Sequence, residues 1–335
     1  MRTEKYVDIE SPFTGGRVKE ISDCERKEFR KEWYDVHVRY YVCEDTGEQF
    51  TSGEQDELWT NELYGQYRVR HGIPFPDEIK KIRQDYGLNY GQMSKILGFG
   101  INQYAQYENG QVPSESNGKI ILAIKDNPSL MLKMLDGAKE SFPPKEYEKI
   151  RESILLSQTR VKQDDFSVIL FYGNTKRSIL NGFGEKNVAK LKEMVGYIIC
   201  ALQEVGPTKL NKLMFYSDFY NYKLYGRSIS GLEYRAIQYG PVPLHYATIY
   251  DNIEGITKRI FISHNISSST LSCRPVTPAE LEANEISTIN FVLEKLGSLS
   301  VAEIVDLSHR EEGWIKYSAN HEIIPYSGAF GLGLA

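Results

Sequence analysis

The stretch KLNKLMFYSDFYNYKLYGRSISGLEYRAIQYGPVPLHYATIYDNI, residues 209–253, decides how the second half of the chain is read. Leu210, Leu213, Met214 and Phe215 are spaced for one buried face, which predicts a helix over Lys209–Tyr225. Tyr216, Asp218 and Tyr222 are expected to line a polar flank of it. The block Tyr239-Gly240-Pro241-Val242-Pro243 predicts a rigid bend: glycine tolerates unusual backbone angles and the two prolines lock the backbone after it. Further on stand LSHREEGW (307–314) and IIPYSGAFGLGLA.

Outward from this block the rest of the second half reads as helices at Val188–Glu204, Ala279–Lys295 and Val301–His309, with strand-like pieces at Glu233–Gln238 and Arg259–Ile262. Pro143-Pro144 marks a boundary before an amphipathic helix, Glu146–Gln158. The apolar run FSVILFYG (166–173) is expected to be a strand.

With 335 residues the chain has room for two or three domains, and its apolar and aromatic fractions are those of a folded protein. A net charge of −5 argues against non-specific nucleic-acid binding by the whole chain but allows a local module. The sequence has no run of eighteen apolar residues and its N-terminus lacks the apolar core of a signal peptide, so a cytoplasmic location is expected. Cys24, Cys43, Cys200 and Cys273 are scattered, with no close pair, and no disulfide framework is expected.

The segment IKKIRQDYGLNYGQMSKILGFGINQYAQYENGQVP (79–113) reads as a helix, a glycine turn and a second helix. Asn89 caps the first helix, in which Met93, Ile96 and Leu97 face inward. Gly98-Phe99-Gly100 makes the turn, and Ile101 and Tyr104 are expected to face the core from the second helix. Asn102, Gln103 and Gln106 then project from its other side, as a recognition helix requires, with amides able to pair with adenine edges. Gly100 and Tyr107 complete the expected DNA-binding set. Seven Lys/Arg against six Asp/Glu over residues 77–135 give a net of +1, which predicts modest affinity per chain and binding as a homodimer.

LGFGINQYAQYENGQVPS resembles the DNA-binding half of MqsA-type antitoxins, which pair an Asn with an Arg one turn on and close on aromatic-Glu-x-Gly. Asn102 and Tyr107–Gly110 match; Gln106 replaces the Arg, which weakens phosphate or guanine contact. The same family places a zinc ribbon with two C-x-x-C knuckles ahead of this segment. Here SPFTGG (11–16) and CEDTGEQF (43–50) stand in those places, so Ser11, Thr14, Cys43 and Thr46 occupy the ligand positions. One thiolate and three hydroxyls do not make a structural zinc site. The module is therefore expected to be metal-free, held by hydroxyl hydrogen bonds and an apolar face, and no cofactor is expected.

The block at 209–253 with SHREEGW resembles the Panacea, or SocA-like, domain. Its hallmarks fall here at Lys212–Asp218, Leu224–Ile229, Gly240–Val242 and Ser308–Trp314. The resemblance implies an antitoxin that neutralises a protein toxin, small alarmone synthetases being among the toxins of such partners. SocA itself is a proteolytic adaptor, and that role is an alternative, as is a transcriptional regulator with a sensing C-terminal domain.

The expected fold is multidomain and mainly α. It comprises a degenerate zinc-ribbon-like module (1–70), a helix-turn-helix domain (71–140), a connecting helix and strand (141–186) and a mostly helical α+β Panacea domain (187–335). Expected partner contacts are Tyr216, Asp218, Tyr222, Tyr239, Gly240, Pro241, His309 and Trp314. Asp218, His309 and Glu311 could be drawn as acid–base groups, but the sequence has no phosphate loop, nucleophile elbow or metal triad. The expectation is a binding protein and not an enzyme. It would repress its own operon through the helix-turn-helix.

Overall fold

A computed structural model describes residues 2–157, 163–263 and 266–334. The described residues are mainly helical, with small antiparallel sheets. The chain divides into two compact units, one of Met1–Leu63 with Asp164–Ala335 and one of Tyr64–Gln163.

The first unit opens with an antiparallel sheet in the order β1 (Thr3–Val7), β2 (Val18–Phe29), β3 (Glu32–Cys43) and β4 (Gln49–Phe50). β2 and β3 form one long hairpin, in register from Val18 opposite Cys43 to Phe29 opposite Glu32. Its turn holds Arg30 and Lys31 at φ of 51° and 68°. Asn-Gly is the usual signal for such a turn, so these two residues hid the hairpin's length from the sequence. Tyr34, Val36 and Val38 lie on its buried face. The boundary between the units falls within α1 (Gly53–His71).

The second unit is all helical: α2 (Pro76–Asp85), α3 (Tyr90–Ile96), α4 (Gln103–Glu108), α5 (Glu115–Ile124), α6 (Pro128–Gly137) and α7 (Pro144–Ser157). Most of these helix starts have a local cause. Pro76 and Pro128 sit in first turns, where a missing N–H costs nothing. Asn89, Ser114 and Asn127 accept backbone N–H groups as caps. One cluster holds the unit together, with Ile79, Ile82, Met93, Ile96, Tyr104, Ile121, Met131 and Leu135 among its buried members.

The chain continues with α8 (Gln163–Tyr172), α9 (Val188–Leu202) and α10 (Pro207–Tyr225). The strand expected at 166–173 is therefore corrected to a helix. Phe166 and Ile169, three apart, are exposed, while Phe171 and Tyr172 are buried. An all-apolar run carries either period, and helix spacing wins here. A short hairpin of β5 (Tyr234–Ile237) and β6 (Gly240–Pro243) comes next, then α11 (Tyr246–Asn252). β7 (Ile256–Ser263) and β8 (Ile266–Cys273) form a second hairpin, of which only the first strand was expected. α12 (Ala283–Leu296), α13 (Val301–His309), α14 (Glu312–Tyr317) and a closing 3-10 helix, Tyr326–Gly331, complete the unit.

α10 is the hub of this unit. It packs against α9, α12, α13, β6 and the closing 3-10 helix. Leu210, Leu213, Met214, Phe215 and Phe219 are buried, as their spacing predicts. The scattered cysteines also need a correction. Cys200 of α9 and Cys273 of β8 form a disulfide with Cα atoms 6.0 Å apart, although 73 residues separate them in sequence. α9 packs on β8, and that contact brings the pair together.

Candidate functional site

α10 is expected to be polar on one flank, and the structure buries that flank as well. Asp218 has no solvent exposure. Its carboxylate accepts the N–H groups of Ile229 (2.9 Å) and Ser230 (2.8 Å), the Ser230 hydroxyl and the Tyr234 hydroxyl (2.6 Å). Burial raises its pKa to about 6, against the pull of those donors. One aspartate thus pins the turn after α10 and the first strand of the β5–β6 hairpin.

Lys212, earlier in the same helix, is equally buried and donates to the Pro241 carbonyl at 2.8 Å. Burial lowers its pKa to about 7. Gly240, at φ +87°, lets the β5–β6 hairpin close over this lysine, since a Cβ there would collide with Ser308 Oγ and Lys212 Cε. Tyr216 donates to Glu311 (3.0 Å), which also accepts the Gly333 N–H (3.2 Å), and burial raises the Glu311 pKa. Tyr222 donates to Glu62 (3.0 Å) on α1. Glu62 in turn accepts the His37 backbone N–H at 2.6 Å. The His37 ring stacks on Phe330, with centroids 3.6 Å apart.

These positions correct the expected partner surface. Tyr216, Asp218, Tyr222, Gly240 and Pro241 are buried, so they cannot touch a partner in this conformation. A tyrosine hydroxyl or a carboxylate reads as surface in a sequence, but here each finds a hydrogen-bond partner inside. The sequence reading missed Glu62 altogether and took Glu311 only as a possible acid. Their signal is spatial: each meets an α10 tyrosine from far along the chain.

Three of the expected residues do reach the surface. Tyr239, at the β5–β6 turn, is 63% exposed. His309 and Trp314 are half-buried and stack with centroids 4.0 Å apart. Trp314 Nε1 donates to the Ile237 carbonyl at 2.9 Å, which brings α14 beside that hairpin. Ile315, 59% exposed, adds an apolar group at the same corner. His309 Nε2 is buried and unpartnered among the described residues. This corner offers aromatic and aliphatic surface on a rigid base, which suits recognition of another protein. Lys212, Ser308 and Asp218 are sealed beneath it.

Residues 210–315 match the family described as antitoxin SocA-like, Panacea domain. No curated protein and no solved structure is significantly similar to the chain. The match spans α10, both hairpins and the helices up to α14. Two of the motifs that suggest the Panacea domain have a clear structural duty: Lys212 and Asp218 tie hairpin and turn to α10, and Gly240 permits the close approach. The core of the matched region is thus built around buried polar ties.

In the second unit, α3 and α4 are joined through a turn over residues 97–102. The Tyr104 N–H donates to Ser94 Oγ (3.1 Å) and its hydroxyl to the Ile79 carbonyl (2.9 Å), which fixes α4 on α2 and α3. Arg83 holds Glu108 through two hydrogen bonds, of 2.5 and 2.8 Å. Gly100, Asn102 and Gln106 are exposed, and Gln103 is half-buried, donating to Gln111 at 3.0 Å. Tyr107 is buried, with its hydroxyl accepting from Asn117 (2.8 Å), so it leaves the expected DNA-contact set. Ile101 is the reverse case. It was expected inside but is 93% exposed, because Asn102 adopts φ +61° and α4 starts only at Gln103.

The two turns of the N-terminal sheet come together. Thr14 Oγ1 lies 3.5 Å from Cys43 Sγ, and Thr14 also donates to Asp45 at 2.7 Å. Hydrogen bonds with Ser11, Thr46 and Thr14 lower the pKa of the buried Cys43 thiol to about 6. Ser11 and Cys43 each accept a backbone N–H from the glycine four residues on, Gly15 and Gly47, at 2.8 and 2.9 Å. The donor atoms at this spot are one sulfur, three hydroxyls and the Asp45 carboxylate.

Proposed function

We propose that this chain is an antitoxin that neutralises a protein toxin by binding it through the Panacea domain, and that its helical second unit represses the shared operon. The match of residues 210–315 to a SocA-like antitoxin family carries the first half. The surface corner of Tyr239, His309, Trp314 and Ile315 is the face we assign to the toxin. The action is stoichiometric coverage, without covalent chemistry. The operon half of the proposal rests on the exposed Gly100, Ile101, Asn102 and Gln106 at the leading end of α4. Amides there suit adenine edges and the isoleucine suits a thymine methyl.

Growth on co-expression with the product of the neighbouring gene tests the reading. The full chain restores growth, Tyr239→Ala with Ile315→Asp loses much of that rescue, and Asn102→Gly with Gln106→Ala keeps it while abolishing operator retardation. A neighbouring gene with no toxicity and no complex with this chain refutes the antitoxin reading.

A further inference from the structure

The β7–β8 hairpin carries a pattern that neither hydrophobic burial nor the proposed toxin face accounts for. On the β8 side Leu271 exchanges two backbone hydrogen bonds with Val205, at 3.0 and 2.8 Å. Leu271 therefore points its N–H and C=O away from β7. Its partner in register is Lys258. In an antiparallel ladder such pairing alternates, so Lys258, Ile260 and Ile262 turn their N–H and C=O groups to the outer edge of β7. From Lys258 to Ile262 no backbone group among the described residues is bonded to that edge. Side chains on the same strand are also uncovered: Ile260 is 63%, Phe261 50% and Ile262 81% exposed. An open strand edge with three consecutive bare apolar residues is a template for another strand.

We propose that the strand it takes is β7 of a second copy of this chain, in antiparallel pairing centred on Ile260. The register is set by charge and hydrogen bonding. Outward-pointing residues must meet outward-pointing residues, which allows centres at 259, 260 or 261. Centring on Arg259 sets two guanidinium groups directly opposite, which is destabilising. Centring on Phe261 sets Lys258 opposite residue 264, beyond the strand. Centring on Ile260 sets Ile260 against itself, Lys258 against Ile262 and Arg259 against Phe261. The lysine stem then covers an isoleucine, and the guanidinium meets an aromatic ring. Lys258 and Arg259 are ion-paired within the chain, with Asp251 at 2.9 Å and Glu204 at 3.8 Å, so self-pairing does not set bare cations against each other. The product is a four-stranded sheet, β8-β7-β7-β8, about a two-fold axis.

The test is the mass of the full chain in solution by light scattering across a concentration series, with two sets of variants. The wild type is expected to be a dimer. Ile260→Lys with Ile262→Lys places like charges opposite one another at the centre and on both flanks, and is expected to raise the dissociation constant at least a hundredfold, leaving a monomer. In a Cys24→Ser background, Ile260→Cys is expected to form an interchain disulfide on mild oxidation, since directly opposed residues stand within disulfide reach, whereas Ser268→Cys on β8 is not. A monomeric wild type, a double-lysine variant that stays dimeric, or an Ile260→Cys chain that does not crosslink overturns the proposal. A monomer whose double-lysine variant loses toxin binding overturns it too, and gives the edge to the toxin.

Discussion

At the scale of single residues, the buried ties on α10 make the sharpest predictions. Asp218→Ala removes the acceptor of two backbone N–H groups and two hydroxyls at once. Each stranded group costs about 1–3 kcal/mol, so the variant should unfold or lose most of its stability in urea titration. Asp218→Asn keeps one oxygen for the backbone pair and offers an amide to the hydroxyls, so it should remain folded with a lower midpoint. Lys212 sets a pH dependence. Its pKa falls from 10.5 to about 7 on folding, so between those values the unfolded chain holds more protons and stability rises with pH. Cys43, lowered from 9.0 to about 6, contributes a slope of the same sign between about 6 and 9. Urea midpoints from pH 7 to 9 should therefore rise for the wild type and rise less steeply for Lys212→Met. An unchanged slope in that variant would show that the lysine is solvated. The sequence displayed these residues but not their burial. Asp218, Tyr216 and Tyr222 read as a polar flank because their partners Tyr234, Glu311 and Glu62 lie 16, 95 and 160 residues away.

At the scale of elements, helices with a cap and a steady spacing were legible, and elements without them were not. Asn89 and the spacing of Met93, Ile96 and Leu97 gave α3 from the sequence alone. The residue before α4 was misjudged because its positive φ is a property of the folded turn, and that error turned Ile101 from surface to core. β8 was invisible because ISSSTLSC offers few apolar side chains, and β7 alone did not announce a hairpin. The DNA-facing assignment for α4 makes a separable prediction. Asn102→Gly with Gln106→Ala should leave the melting temperature nearly unchanged, since glycine tolerates the positive φ at position 102 and the Gln106 side chain is exposed, yet cut operator affinity at least tenfold in retardation assays. Tyr107→Phe should act the other way round, lowering stability by about 1 kcal/mol through the lost Asn117 bond with little effect on specificity.

At the scale of the whole molecule, the two ends of the chain build one compact unit, and residues 64–163 form the other. The N-terminal sheet is tied into that first unit by Glu62, which serves His37 of β3 and Tyr222 of α10 together, and by the stacking of His37 on Phe330. Glu62→Ala should therefore destabilise the core around α10 although it lies outside the matched residues 210–315, by about 2–4 kcal/mol for the groups it strands. The two turns fit this arrangement: Cys43 and its hydroxyl neighbours hold the sheet's end with hydrogen bonds, and the sheet is fixed at its other contacts by packing. Metal analysis of the purified chain is expected to return far less than one zinc per chain.

The claim beneath these predictions is that the chain acts by covering a protein toxin. Its most direct test is a titration of the purified neighbouring gene product's activity with purified chain. The account predicts inhibition that is immediate, grows linearly and ends near one chain per toxin. Inhibition that deepens with time at a small fraction of an equivalent, or no inhibition at any ratio, would contradict it.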